Sequence, residues 1–339
     1  MIAAAPFTLP PANEAATTPE RRGLARDGVR LLVSDLATGR HEDATFRDLP
    51  ALLCPGDLLV ANDSGTLPAA LEARRATGSA FALHLSTRIA DALWIAEPRE
   101  AVHSGDRAAL AAGGAATFLT SVDAAHPRLW YVALSLDDEV EAFLARHGAP
   151  IRYRYADQTL PLADYQTVFA RTPGSAEMPS AGRPFTPRVL DVLRGAGVEV
   201  ATITLHAGVS SPERHERPYR EWFAVSATTA AAVNTARDRG NRVVAVGTTV
   251  VRALESAVAG GAAIAATGWT DRIITPQHGV AVVDGLLTGF HEPQASHLDL
   301  LAAFAGEALL GSAYDRAVAA GYLWHEFGDV HLLIRRCDR

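Results

Sequence analysis

Residues 242–255 carry the clearest chemistry in the chain. A β-branched run, Val243-Val244-Ala245-Val246, ends at Gly247-Thr248-Thr249 and continues as Val250-Val251-Arg252-Ala253-Leu254-Glu255. This pattern predicts a buried strand, a tight turn and the first turns of a helix. Such a turn presents free backbone N–H groups and two hydroxyls at a helix N-terminus, where an anionic group is stabilised. Arg252 and Glu255 stand three apart on one helix face. Two uses of Arg252 stay open: a pair with Glu255, worth a few tenths of a kcal/mol when exposed, or bidentate reception of a ligand carboxylate. The plain alternative for the whole segment is a capped strand-to-helix junction.

His206 closes the run Thr202-Ile203-Thr204-Leu205, and the carboxyl ends of strands in open α/β sheets collect ligands and catalytic groups. Its plain alternative is a partly buried histidine bonded to backbone. His291, Glu292 and His297 form a second cluster. Imidazole and carboxylate suit zinc. However, the two histidines are six apart, off a common helical face and outside any His-Glu-x-x-His pattern, so no metal is expected. Glu221, in Pro218-Tyr219-Arg220-Glu221-Trp222, reads as either a solvated acid on a strand edge or a site residue. Asp63 and Thr248 complete the polar candidates.

The elements that must position these groups follow from periodicity. Arg30-Leu31-Leu32-Val33-Ser34-Asp35 and His41-Glu42-Asp43-Ala44-Thr45-Phe46 flank Gly39 as a hairpin, and Leu58-Leu59-Val60 is a short strand. Residues 66–148 alternate short strands with turns, at 81–86, 92–96, 116–119 and 129–134, which predicts a small barrel or sandwich. A helix over 138–147 follows, stopped by Gly148. From residue 150 strands and helices alternate. Helix 187–195 precedes strand 198–205; helix 226–239, capped by Ser226, precedes strand 243–246; helix 249–259 comes next. That order predicts α/β architecture with a largely parallel sheet.

Composition narrows the function classes. The chain has 339 residues, 48% of them hydrophobic and 20% charged, enough for a large core and two domains. No apolar run reaches about 18 residues and no secretory signal is evident, so a cytoplasmic location without a membrane span is expected. Cys54 and Cys337 are too few for a disulfide framework, which suits a reducing compartment. All 31 Lys+Arg residues are arginine. Schiff-base, pyridoxal-phosphate and P-loop lysine chemistry is therefore excluded, and cationic contacts fall to arginine or protonated histidine. The net charge of −7 gives no general attraction to nucleic acid.

Around residues 242–255 stand Tyr165-Gln166-Thr167-Val168-Phe169, Pro179-Ser180-Ala181-Gly182-Arg183-Pro184-Phe185, Thr204-Leu205-His206-Ala207-Gly208, Val282-Val283-Asp284-Gly285-Leu286, Phe290-His291-Glu292-Pro293 and Phe327-Gly328-Asp329. Near the N-terminus come Phe46-Arg47-Asp48-Leu49-Pro50 and Pro55-Gly56-Asp57-Leu58-Leu59-Val60-Ala61-Asn62-Asp63. In that order and spacing the chain resembles the S-adenosylmethionine:tRNA ribosyltransferase-isomerase family of queuosine biosynthesis, along nearly its whole length. The resemblance implies an α/β-barrel-like main domain, residues 1–62 and 150–339, into which a small β-barrel, residues 63–149, is inserted. It implies S-adenosylmethionine as co-substrate, tRNA as acceptor and no metal. It also implies a reaction in which a base removes a proton next to the sulfonium, adenine is lost, an acceptor amine adds and methionine leaves. His206, Glu221 and His291 are the expected proton-transfer residues. Asp63, Ser180, Gly182, Gly247, Thr248, Thr249, Arg252, Glu255, Glu292 and His297 are the expected binding residues.

The chain departs from the family pattern where cations are expected. Gly65 and Ala70 stand in place of arginines and Pro184 in place of a histidine. The stretch after His206 is shorter, with Glu216 in it, and Glu292, His297 and Asp299 follow the Phe290-His291 element. Residues 66–148 hold seven arginines against ten acids. Two further readings therefore stand beside the first: a paralogue using S-adenosylmethionine or a related nucleoside on a small-molecule acceptor, and a non-catalytic α/β binding protein.

Overall fold

The computed structural model describes residues 7–153, 155–156, 160–209, 219–293 and 295–337. Three strands come first: β1 (Arg30–Asp35), β2 (His41–Thr45) and β3 (Leu58–Asn62). Six follow in the next segment: β4 (Ala70–Arg74), β5 (Ala80–Ala90), β6 (Leu93–Pro98), β7 (Arg107–Ala109), β8 (Ala115–Ser121) and β9 (Trp130–Ser135). Then come helices α1 (Val140–His147) and α2 (Pro187–Gly195), strands β10 (Glu199–Leu205) and β11 (Glu221–Val225), α3 (Ala227–Asp238), β12 (Val243–Val246) and α4 (Thr248–Ser256). The chain closes with β13 (Ala266–Thr270), β14 (Gly285–Gly289), α5 (His297–Ala319) and β15 (Val330–Ile334).

The expected fold class is present: an α/β body carrying a closed six-stranded barrel. The barrel order is β9-β6-β5-β4-β7-β8, and the body is a nine-stranded sheet ordered β13-β11-β10-β3-β12-β14-β15-β1-β2. The sheet is mixed rather than largely parallel. β10, β3, β12 and β14 run parallel at its centre and β15 runs parallel to β1, while β13/β11, β11/β10, β14/β15 and β1/β2 are antiparallel. The parallel ladders join strands separated by helices; the antiparallel ones come from the β1/β2 hairpin, from the β10/β11 connection and from two long-range pairings, β13 on β11 and the C-terminal strand on β14, that local periodicity does not carry.

Both faces of the sheet are covered, as central parallel strands require. Leu58 and Val60 point with Val243 and Ala245 toward α3, α4 and α5, meeting Val233, Val250, Leu254 and Ala313. The alternate residues Leu59 and Ala61 point with Val244 and Val246 toward α2, meeting Val189, Leu190 and Leu193. Each fully buried Val or Leu of this kind contributes about 1.5–3 kcal/mol. The barrel has its own core around Leu83, Leu85, Trp94, Phe118 and Val132.

Helix α2 starts on a Thr186 cap, and α3 starts on the Ser226 cap that the sequence predicts. Helix α4 begins at Thr248 and ends at Ser256, because Val258 and Ala259 already pair with Ala262 and Ala263. The two cysteines, read as too few for a framework, are brought together as one Cys54–Cys337 bridge across 283 residues of sequence. Among the described residues no helix is long and apolar enough to cross a membrane.

Candidate active site

The parallel strands β10, β12 and β14 end on the same side of the sheet, and their carboxyl-end loops wall one cavity of about 310 Å³. β10 delivers Ala207, Gly208 and Val209; β12 delivers Gly247, Thr248 and Thr249; β14 delivers Phe290, His291, Glu292 and His297. Because β15 runs antiparallel to β14, pairing Val330 with Gly289, the loop before it brings His325 and Glu326 to the same mouth. The barrel side adds Ser86, and the following segment adds Tyr153, Tyr155, Glu177 and Ser180.

The residues 247–249 turn has the predicted form. Gly247 sits at φ 98° and ψ 153° ahead of α4, a conformation open to glycine alone, and no side chain caps the helix there. Asn62 steadies the turn from β3: its Nδ2 donates to the Leu205 carbonyl at 2.8 Å and to Thr249 Oγ1 at 3.3 Å.

Arg252 does not pair with Glu255. Its Nη1 pairs with Glu221 Oε2, its Nη2 donates to the carbonyls of Tyr219 and Thr270 at 3.1 and 3.3 Å, and its Nε donates to the Arg272 carbonyl at 3.3 Å. Four of the five guanidinium N–H groups are thus engaged, which leaves no bidentate edge for a ligand carboxylate. Glu221 is held at both oxygens, since Oε1 accepts from the Gly208 N–H at 3.0 Å. Glu255 is buried and accepts from the Ala281 and Val282 N–H groups at 2.8 and 2.9 Å, tying α4 to the loop before β14.

His206 does not line the cavity. Its Nδ1 meets Ser64 Oγ at 2.8 Å, its ring stacks on Trp222 with centroids 5.1 Å apart, and Gly174 packs so closely on it that a Cβ would fall 2.4 Å from the ring. Burial lowers its pKa against the pull of Asp63. Asp63 likewise stays outside, accepting from Thr204 Oγ1 at 2.6 Å and Thr202 Oγ1 at 3.3 Å, and Gly182 packs under Thr167 and Phe169. These three shape the walls from behind.

His291 and His297, by contrast, meet in the cavity as a stacked pair with centroids 4.7 Å apart. His291 Nε2 lies 2.9 Å from Thr288 Oγ1. Burial pulls the His291 pKa well below its ordinary value, and burial, then Arg252, pulls that of His297 down to about 4. Both shifts favour the neutral imidazole over the imidazolium. Burial pushes the carboxyls of Glu292 and Glu326 upward. Among the described residues no three His, Cys, Asp or Glu side chains converge to hold a metal ion.

Four carboxyl side chains line the cavity, Glu177, Glu221, Glu292 and Glu326, against the single guanidinium of Arg252. Sequence reasoning found His291, Glu292, His297, Glu221, Arg252, Ser180 and the 247–249 turn. It missed Tyr153, Tyr155, Glu177, His325 and Glu326. The one available signal was the position of His325 and Glu326 directly before Phe327-Gly328-Asp329. Glu216 lies outside the described residues.

Comparison with known proteins supplies the family. Residues 3–333 match the family model described as queuosine biosynthesis protein. The S-adenosylmethionine:tRNA ribosyltransferase-isomerase of Acidithiobacillus ferrooxidans is 40% identical over 326 residues, 93% of each chain. The enzyme of the same name from Thermus thermophilus is 38% identical over 97% of this chain and 98% of its own. The crystal structure of S-adenosylmethionine tRNA ribosyltransferase from Thermotoga maritima is 30% identical, with a TM-score of 0.56, covering 97% of this chain and 99% of that one.

Proposed function

The chain belongs to the queuosine biosynthesis protein family, and from that membership we propose that it is an S-adenosylmethionine:tRNA ribosyltransferase-isomerase, moving the ribosyl moiety of S-adenosylmethionine onto tRNA with release of adenine and methionine. The observation that carries the reading is the charge of the cavity: four carboxyl groups and neutral imidazoles around one neutralised arginine. A sulfonium 4 Å from a carboxylate gains about 4 kcal/mol at an effective dielectric near 20, whereas a helix N-terminus gives an anion only about 0.3–1 kcal/mol. The cation of the ligand therefore dominates its placement, and the 247–249 turn takes its anionic end.

In this account His291, stacked on His297 and steadied by Thr288, accepts the proton next to the sulfonium. Glu221, fixed by Arg252 and Gly208, faces the cation. Ser180, Thr248, Thr249, Glu292 and His297 contact the substrate; His206, Asp63, Gly182 and Glu255 hold the walls that carry them. The acceptor is tRNA, after which the relatives are named, in preference to a small molecule, and the reading places the enzyme in the cytoplasm. Domain limits of 1–62 and 150–339 for the body and 63–149 for the insertion are supported by the neck, where Ala70 and Ala149 exchange backbone hydrogen bonds at 2.8 and 2.9 Å.

Calorimetric titration with S-adenosylmethionine tests the reading. Saturable binding, weakened at least tenfold by Glu221→Gln together with Glu292→Gln, is expected. Absence of binding by the folded protein contradicts it.

A further inference from the structure

Three rings stand in a ladder on the wall of the cavity. Tyr153 and Tyr155 stack with centroids 5.8 Å apart and planes at 14°; Tyr155 and His325 stack at 3.7 Å and 3°. The ladder is fixed from behind by the Tyr155 hydroxyl, which donates to Glu326 Oε2. His325 adopts φ 73°, a left-handed conformation that is strained for a non-glycine residue and accumulates at ligand sites.

Two polar atoms of this ladder have no hydrogen-bond partner among the described residues: the Tyr153 hydroxyl and His325 Nε2. The His325 side chain is 7% exposed, and its nearest carboxylates, Glu14 at 3.9 Å and Glu292 at 3.8 Å, stand beyond hydrogen-bond distance. Leaving a buried polar group unpaired costs about 1–3 kcal/mol, so an orphaned pair beside a cavity marks where a ligand supplies the missing partner. Burial also pulls the His325 pKa down to about 4, so at pH 7 the ring is neutral, with one N–H and one lone pair.

We propose that the Tyr153–Tyr155–His325 ladder is the subsite for the adenine of S-adenosylmethionine. The base lies edge-on along the ladder, across the rim of Tyr155, and its ring nitrogen and amino group pair with the Tyr153 hydroxyl and His325 Nε2. Tyr155 is covered on both faces, so the base does not insert beside it. The chemistry fits a neutral heteroaromatic base: aromatic rings for edge-to-face contact, amphoteric neutral groups for an edge that offers donor beside acceptor, and no cation to select a phosphate. Its place on the wall of the cavity assigned to the sulfonium puts base and cation in one ligand-sized space. The inference rests on the reading of the cavity as an S-adenosylmethionine site. It assigns the ladder as a binding surface and adds no bond-making step.

The test is calorimetry of the full chain with S-adenosylmethionine, adenosine and unmodified tRNA, for the wild type, Tyr153→Phe and His325→Asn. Asparagine tolerates the left-handed backbone at 325. Tyr153→Phe keeps the ring, so it decides the matter if His325→Asn fails to fold. The expected result is a loss of affinity for adenosine and S-adenosylmethionine of about three- to tenfold in Tyr153→Phe, one hydrogen bond's worth, and about tenfold or more in His325→Asn, where the ring contact goes too. Affinity for tRNA should stay unchanged. Unchanged affinity for both nucleosides overturns the proposal. So does a loss confined to tRNA, which would give the ladder to a base of the acceptor. Tyr153-dependent binding of adenosine without binding of S-adenosylmethionine would keep the base subsite and remove the co-substrate reading. Binding of S-adenosylmethionine indifferent to both variants would do the reverse.

Discussion

At the scale of single residues, the cavity separates histidines that a sequence presents alike. His206 and His291 each follow a strand that ends at the site, yet only His291 lines the cavity, while His206 is pinned by Ser64, Trp222 and Gly174. Replacing His291 with alanine is expected to lower turnover by about a hundredfold or more, the range for a general base. His206→Ala is expected to lower turnover less than tenfold and to show its effect mainly as lost stability. Steady-state kinetics beside denaturant unfolding of both variants checks this; the opposite ranking would return the proton-transfer role to His206. The same scale shows why the partner of Arg252 is not legible from its own helix. Its neighbour three residues on, Glu255, faces two backbone amides, and the carboxylate it meets belongs to β11, 31 residues away in sequence. Spacing along one helix reveals which groups share a face, and a distant strand decides which of them pair.

At the scale of elements, the strand β12, the residues 247–249 turn and helix α4 form one continuous unit of the site's wall. Gly247→Ala places a Cβ at φ 98° and is expected to destabilise the protein by about 1–3 kcal/mol, the cost of such a backbone conformation. It should also weaken S-adenosylmethionine binding. Urea unfolding and calorimetry on the same sample measure both, and a variant as stable as the wild type would show that the turn is not held in that conformation. This unit was legible in the sequence because its signals are local: a β-branched run, a glycine and helical spacing. The same holds for α2, α3 and the hairpin β1/β2, with Gly39 in its turn. Other elements left no such mark. Helix α5 is rich in alanine, with Leu, Phe and Tyr spread around it and Gly306 interrupting its helical φ, so no narrow apolar stripe announces it. Strand β15 places His331, fully buried and 2.7 Å from Ser34, within an otherwise apolar run. The barrel strands β4 and β7 are short, and the pairing of Arg74 with Ala109 that joins them is long-range. The ladder Tyr153–Tyr155–His325 joins segments far apart in the chain; composition gives no sign of it.

At the scale of the whole molecule, buried neutral histidines tie stability to pH. His297 and His325 have pKa values pulled to about 4 and His331 to about 3, all by burial, against about 6.5 in an unfolded chain. A depressed histidine favours the folded state fully above the unfolded value. As pH falls from about 6.5 to about 4, the unfolded chain takes up protons that the folded one refuses, and stability is lost at about 1.4 kcal/mol per pH unit for each histidine. The raised carboxyls of Glu292, Glu326 and Asp329 act with the opposite sign and offset part of this. Unfolding midpoints at pH 7.5, 6.5 and 5.5 should be nearly equal for the first two and clearly lower for the third. Equal midpoints at all three would mean that these imidazoles are solvated. The net charge of −7, arginine as the sole basic side chain and an acidic cavity describe a molecule that attracts its cationic co-substrate and must hold tRNA through local arginines. The measurement that decides the account is transfer of label. The protein is incubated with S-adenosylmethionine labelled in its ribose and with tRNA from cells blocked at this step of queuosine synthesis, in which the amine-bearing precursor accumulates. The account predicts label in the tRNA, with adenine and methionine released in equal amounts, and loss of all three signals in His291→Ala. Adenine release with the label left in a small molecule, or no release from the wild type, would contradict it.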